Sequence, residues 1–386
     1  VSFLDQQLQA ALAERRAQNL YRQRRVVESA PGTELIVDGK NYLNFCSNDY
    51  LGLANHPQSI SAFKNAADEF GVGSTASHLV CGHTRIHHEL EETFADWLQR
   101  PRALLFSTGY MANLGVLNAL LNEGDAVYED KLNHASLLDG GLSSGAKFQR
   151  FLHNDVTNLQ QKIFRTDAGK KLITVDGVFS MDGDLAPLAE LSELAQKHQA
   201  WLMSDDAHAI GVLGKTGAGC AEYFNLDVNQ LPIVMATLGK ALGTFGAVVA
   251  GSEALIETLI QFSRTYIYTT ALPPAVAAAT LASVQIAKTE SWRREKLAAL
   301  IKRFRDAAKQ LNLPLMESQT PIQPLLVGEA DQALRISQAL AERGIWISAI
   351  RPPTVRAGSA RLRITFNALH TEAQIDYLLE NLSAVF

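Results

Sequence analysis

Trp201-Leu202-Met203-Ser204-Asp205-Asp206-Ala207-His208 is a short apolar run that empties into two acids and an imidazole. Such a run, bounded by polar turn residues, is the mark of a buried strand. In doubly wound sheets ligands sit beyond the carboxyl ends of the strands, so polar residues at this end are candidates for chemistry. The pattern recurs on both sides of it. Residues 104–106 run into Ser107-Thr108-Gly109-Tyr110, and residues 233–237 run into Leu238-Gly239-Lys240-Ala241-Leu242-Gly243. Residues 126–128, 172–175 and 247–250 complete a set of six candidate strands. Helix-length stripes such as Leu90, Phe94, Trp97 and Leu98 lie between them. This alternation predicts an α/β fold with a mostly parallel central sheet and crossover helices.

Working outward, the rhythm begins near residue 50 and changes near residue 285. Before it, Leu4, Leu8 and Leu12 form one helical stripe followed by Arg15, Arg16, Arg22, Arg24 and Arg25, which predicts an amphipathic N-terminal helical arm over residues 1–50. Residues 51–285 read as the large domain. Beyond them Leu297, Leu300, Ile301, Phe304 and Leu311 share one helix face, and apolar runs at 321–327, 345–350 and 362–365 lead to Thr371 and Gln374 at capping-box spacing. Residues 286–386 therefore read as a smaller α+β domain.

Thirty-five basic against forty acidic residues leave a net charge of −5, and 47% hydrophobic with 19% charged residues is the balance of an ordinary globular protein. Disorder and polyanion coating are both excluded. Cys46, Cys81 and Cys220 are far apart and form no CxxC pair, so neither a disulfide framework nor a thiolate zinc site is expected, and a reducing cytoplasm fits. Residues 1–12 lack the apolar core of a secretory signal. Residues 271–287 contain Pro273-Pro274 and are interrupted by Thr280, Ser283 and Gln285, which predicts a buried helix and no membrane span.

Three strand ends carry the chemical reading. Gly109 at a helix start frees backbone N–H groups for a phosphate, although Thr108 as an ordinary N-cap reads the same way. A carboxylate buried without a partner costs about 3–5 kcal/mol, so one acid of the Asp205-Asp206 pair needs a cation from protein, metal or ligand. Metal is the rival, but there is no HExxH and no second cluster to complete a ligand set. Lys240, between glycines beyond an apolar strand, would be a good amine nucleophile toward a carbonyl if desolvated. A phosphate site, a strand-end Asp and a strand-end Lys together suit pyridoxal 5′-phosphate (PLP), which asks for all three.

These residues carry a resemblance. The runs 44–53 (Asn-Phe-Cys-Ser-Asn-Asp-Tyr-Leu-Gly-Leu), 133–136 (Asn-His-Ala-Ser), 177–184 (Gly-Val-Phe-Ser-Met-Asp-Gly-Asp), 205–208, 237–240 and 361–365 (Arg-Leu-Arg-Ile-Thr) resemble the α-oxoamine synthases, fold type I PLP-dependent transferases. The resemblance spans nearly the whole chain. It implies PLP held on Lys240, Asp205 on the pyridine nitrogen and His134 stacked on the ring, with Ser180, His208 and Thr237 around the ring hydroxyl and phosphate. Thr108, Gly109 and Tyr110 are the expected helix-start phosphate site. It further implies a homodimer with active sites at the interface, Thr269 and Thr270 reaching the partner's phosphate. Asn48 and Arg363 match positions that hold the amino acid's carboxylate, and Arg22 and Thr354 match positions at the acyl substrate.

The implied reaction joins L-alanine to a pimeloyl thioester, on coenzyme A or a carrier protein, with release of carbon dioxide and thiol. Residues 350–355 (Ile-Arg-Pro-Pro-Thr-Val) resemble the branch of the family that serves biotin biosynthesis, with glycine C-acetyltransferase or another sister enzyme as the alternative. Departures lie at Thr75-Ala76-Ser77 and Ala209-Ile210-Gly211, where many members have more glycine.

Three further signals are declined. Residues 209–216 are one Ala short of a P-loop but lack the strand-to-helix context, so a nucleotide switch at Gly214-Lys215-Thr216 is a distant third reading. His83, His87 and His88 beside Glu89 and Glu91 read as a polar helix face opposite Leu90 and Phe94, so no metal is expected. The arginines of residues 15–25 have no interleaved aromatic platform, and the net charge is negative, so no nucleic acid is expected.

Overall fold

The computed structural model describes residues 2–18 and 20–386. Among them the strands are β1 (Glu34–Val37), β2 (Lys40–Asn44), β3 (Arg102–Phe106), β4 (Ala126–Asp130), β5 (Lys147–Phe151), β6 (Lys171–Asp176) and β7 (Trp201–Asp205). They continue as β8 (Ile233–Thr237), β9 (Ala247–Gly251), β10 (Ile322–Gly328), β11 (Ile345–Trp346), β12 (Ser348–Ile350) and β13 (Ala360–Thr365). The chain divides into two units, one of residues 48–180 and 184–296, the other of residues 1–47, 181–183 and 297–386.

The larger unit is built on a seven-stranded sheet in the order β3-β9-β8-β7-β6-β4-β5. The pairs β4–β5, β4–β6, β6–β7 and β7–β8 are parallel, and β9 runs antiparallel to both of its neighbours. Strands β3, β4, β6, β7 and β8 thus deliver their carboxyl ends to one edge of the sheet. Their middle residues are apolar on both faces because helices cover both, which is why they read as runs rather than alternations. Leu104, Phe106, Val116, Leu117, Met203, Met235 and Val249 interlock in that core. The sequence reading missed β5. Its Lys-Phe-Gln-Arg-Phe is half exposed at the sheet's edge, so it carries no continuous apolar run.

Helix Pro274–Thr289 starts on Pro274, where a missing N–H costs nothing, and its Ala277, Thr280, Ser283 and Val284 are buried. Ser283 Oγ lies 2.9 Å from Ser59 Oγ of helix Pro57–Phe70. No helix of the described residues is long and apolar enough to cross a membrane.

The smaller unit holds two three-stranded sheets, β1-β2-β11 and β10-β13-β12. Helix Glu372–Ser383 begins with the expected capping box, Thr371 with Gln374. Helix Phe3–Ala17 is capped by Ser2 and Asp5, and Leu4, Leu8 and Leu12 of its apolar stripe are exposed. The division at residues 50 and 285 differs from this grouping. Leu43 and Asn44 of β2 pair with Ile345 and Trp346, so residues 34–44 belong to the fold of the C-terminal part. A parallel pairing between segments so far apart in the chain leaves no local pattern to read.

Candidate active site

The carboxyl edge of the large sheet surrounds a cavity of about 180 Å³. Asp205, the last residue of β7, is 4% exposed at its wall. Its Oδ1 accepts from Ala207 N at 3.0 Å and its Oδ2 from Asn113 Nδ2 at 2.7 Å. Asn113 stands on helix Gly109–Leu120 and donates from the same nitrogen to Ser136 Oγ at 2.8 Å. The next acid faces elsewhere. Asp206 accepts from Ser204 Oγ at 2.5 Å and from Cys220 N at 2.7 Å, and burial pushes its carboxyl up. Gly177 lies against it, where a Cβ would come within 2.6 Å of Asp206 Oδ1 and 2.7 Å of Cys220 Sγ, so that position excludes any side chain.

A second acid does share the cavity with Asp205. Asp176 ends β6 and accepts from His134 N at 3.1 Å. Burial first, then the charge of Asp205, pushes Asp176 well above the ordinary carboxylate range. The pair holds one negative charge readily and resists two. His134 caps helix Ala135–Ser143, its Nδ1 accepting from Ser136 N at 3.3 Å and lying 2.8 Å from Ser136 Oγ. Burial lowers its pKa, Asp205 opposes this and Lys240 adds to it, so the ring is neutral at pH 7 and offers a flat apolar face.

Lys240 follows β8 and is half-buried, its Nζ 2.8 Å from His208 Nε2. On the other side of the ring His208 Nδ1 lies 2.6 Å from Tyr50 Oη, and Tyr50 donates to Asn48 Oδ1 at 3.1 Å. The protons follow from this sequence of contacts. With its hydrogen spent on Asn48, Tyr50 accepts from His208 Nδ1–H, which leaves Nε2 to accept from the Lys240 ammonium or amine. Asn48, Tyr50 and His208 thus line up behind Lys240 Nζ.

Gly109, Tyr110, Ser180 and Thr237 also line the cavity. Thr108 does not. Its Oγ1 caps the helix by accepting from Met111 N at 3.1 Å, which leaves the N–H groups of the first turn at the cavity's end. Thr269 and Thr270 lie outside it, although Thr270 O accepts from Ser107 Oγ at 3.2 Å. Arg22, Thr354 and Arg363 belong to the smaller unit, the first two exposed and Arg363 buried in β13. Sequence reasoning gave no role to Tyr50, Asn113 or Asp176. Asp176 could have been found by the test that found Asp205, because residues 172–175 also empty into an acid. Asn113 and Tyr50 carry no such local signal.

The set suits PLP. Two buried carboxyls facing one cavity call for a cationic N–H donor, Asn113 Oδ1 is buried with no hydrogen-bond partner, and the helix end beside Gly109 presents donors to an anion. Asp205 would hold the ring nitrogen, His134 the ring face, Lys240 the aldehyde carbon, and Gly109 and Tyr110 the phosphate.

Residues 40–382 match the family model of class I and II aminotransferases. The 8-amino-7-oxononanoate synthase of Cellvibrio japonicus is 63% identical over 384 residues, covering 100% of this chain and 96% of that protein. The chain belongs to the class I and II aminotransferases, among the α-oxoamine synthases. PLP is its cofactor. A solved serine palmitoyltransferase with PLP bound is 32% identical with a TM-score of 0.93, covering 100% of this chain and 98% of that one. The 8-amino-7-oxononanoate synthase of Francisella tularensis is 35% identical with a TM-score of 0.78, covering 89% and 97%.

The P-loop look-alike is resolved by its own geometry. Glu222 accepts from Thr216 N at 3.0 Å, Thr216 Oγ1 at 3.1 Å and Ala218 N at 3.1 Å. A carboxylate of the chain occupies the donors that a phosphate would need.

Proposed function

We propose that this chain joins L-alanine to a pimeloyl thioester, giving 8-amino-7-oxononanoate, carbon dioxide and free thiol, in the cytoplasmic synthesis of biotin. The observation that carries the reading is the Lys240 nitrogen held on His208 Nε2, in one cavity with Asp205. PLP supplies an electron sink that weakens the bonds at an amino acid's Cα. Asp205, fixed by Asn113, keeps a proton on the ring nitrogen. Lys240 would hold the aldehyde carbon of PLP, and its Nζ, steered by His208, would take the Cα proton of the amino acid. Arg363 and Asn48 take the carboxylate of alanine, the arginine through a paired hydrogen bond. Arg22 and Thr354 take the acyl chain.

The reading extends to a homodimer, in which Thr269 and Thr270 serve the partner's phosphate. Their place outside the cavity of their own chain supports it. Three free cysteines support a reducing compartment.

The test is the visible spectrum of the purified protein with PLP, followed by thiol release from pimeloyl-CoA on addition of L-alanine. Lys240→Ala is the control. Alanine-dependent release that vanishes in the variant is the expected result. Release with glycine and acetyl-CoA in its place would move the assignment to a sister enzyme.

A further inference from the structure

The histidine-rich stretch read from sequence as a polar helix face is arranged differently in space. His87 is fully buried, its Nε2 2.7 Å from Leu272 O and its Nδ1 3.0 Å from Thr84 N, so both ring nitrogens serve the fold. His83 instead stands just after the π-helical turn His78–Gly82, and His88 and Glu91 lie in helix Arg85–Trp97. One ligand atom of each of these three lies within 4.8 Å of the other two. They border a cavity of about 440 Å³ beside the start of β3, within the larger unit and away from the carboxyl edge of the sheet.

We propose that His83, His88 and Glu91 bind a divalent transition-metal cation of the zinc, cobalt(II) or nickel(II) class. Two imidazoles and a carboxylate are the borderline ligand set these ions prefer. Ligand atoms about 2.0–2.2 Å from a tetrahedral metal lie roughly 3.3–3.6 Å apart. His83 Nε2 and Glu91 Oε2 are already at 4.0 Å. The remaining approach falls to His88, whose side chain is 65% exposed, meets Glu92 at the surface at 3.3 Å and already stands edge-on to the His83 ring.

The two inner ligands are held from behind, as metal ligands are. Glu91 Oε1 accepts from Leu105 N at 2.9 Å, leaving Oε2 for the ion. His83 Nδ1 lies 2.9 Å from His78 Nδ1, so a metal on Nε2 keeps the His83 proton on Nδ1 and sends that of His78 to its Nε2. The adjacent Arg102 is engaged by Glu253 at 2.6 Å and Glu257 at 3.2 Å, so its guanidinium is already paired with other carboxylates. The cavity leaves room for water as a fourth ligand. The bound ion would tie the 78–83 turn to the helix that follows it.

The test is a calorimetric titration of the PLP-loaded protein with zinc chloride, with cobalt(II) as a spectroscopic substitute. Wild type is expected to take up one zinc per chain, to show the visible bands of tetrahedral cobalt, and to gain thermal stability with zinc. His88→Ala and His83→Ala are expected to lose all three. His88 is exposed and outside the catalytic cavity, so unchanged thiol release by His88→Ala certifies its fold. Equal zinc binding by His88→Ala, or no zinc isotherm in wild type, overturns the proposal.

Discussion

Two imidazoles sit at strand ends of the same sheet and are used in opposite ways. His208, in the cavity, meets a tyrosine hydroxyl at 2.6 Å and a lysine nitrogen at 2.8 Å. His153, beyond β5, meets Asp130 at 3.0 Å and Asp184 at 2.8 Å, one carboxylate on each ring nitrogen. The second arrangement demands a proton on both nitrogens. Burial opposes it, but the two acids prevail and push His153 up to about 9. The first arrangement leaves one nitrogen to accept, so its ring can orient a lysine and follow its proton. The neighbours, not the residue type, decide whether a strand-end histidine is a clamp or a working part.

The comparison breaks most readily at Lys240. Lys240→Ala is expected to lower alanine-dependent thiol release by about 10³-fold or more, and a residual rate near wild type would remove His208 from any working role. Asp205→Asn should cost about 10²–10³-fold in kcat because the ring nitrogen loses its counter-charge, and cofactor retention on gel filtration separates binding from chemistry. Tyr50→Phe leaves His208 Nδ1–H without its acceptor, a loss of about 1.4 kcal/mol or about tenfold in kcat. A shifted pH–rate profile in that variant, with the KM for alanine little changed, distinguishes steering of His208 from loss of packing.

The clamp is tested by stability instead of rate. His153 has a folded-state pKa of about 9, above the ordinary value of about 6.5. Its contribution is therefore fully present below pH 6.5 and is lost as pH rises through about 9. His153→Gln should unfold about 1–3 kcal/mol more readily than wild type at pH 6, with the two denaturation curves converging above pH 10. A difference independent of pH would mean that packing against Phe179, 4.4 Å away edge-on, is what His153 supplies. Smallest of all, Glu222→Gln should cost about 0.5–1 kcal/mol, since it weakens hydrogen bonds that water can partly replace, and thiol release should stay at the wild-type rate.

The candidate edge of the sheet was legible because strand ends are local objects. An apolar run followed by Asp205, or by Gly239-Lys240, is visible in a dozen residues, and the strand's geometry does the rest. The capping box at Thr371 and the Pro274 helix start were legible for the same reason. Asp205 and Asp206 mark where that reading stops. They are chemically identical and adjacent, and only the alternation of a strand over a packed sheet sends one to the cavity and the other to Ser204 and Cys220. His87 likewise looked like its neighbours until the buried Leu272 carbonyl claimed it.

By itself the sequence determined the α/β class and marked Asp205 and Lys240 as strand-end candidates, because a strand and the polar residues that end it are neighbours in the chain, while His134 came from the family resemblance. Tertiary structure alone decided that Asn48 and Tyr50 stand behind His208, that Asn113 fixes Asp205, and that His83, His88 and Glu91 converge while His87 turns inward. Those choices depend on which backbone passes within 3 Å of which side chain, and separation along the chain carries no trace of that distance.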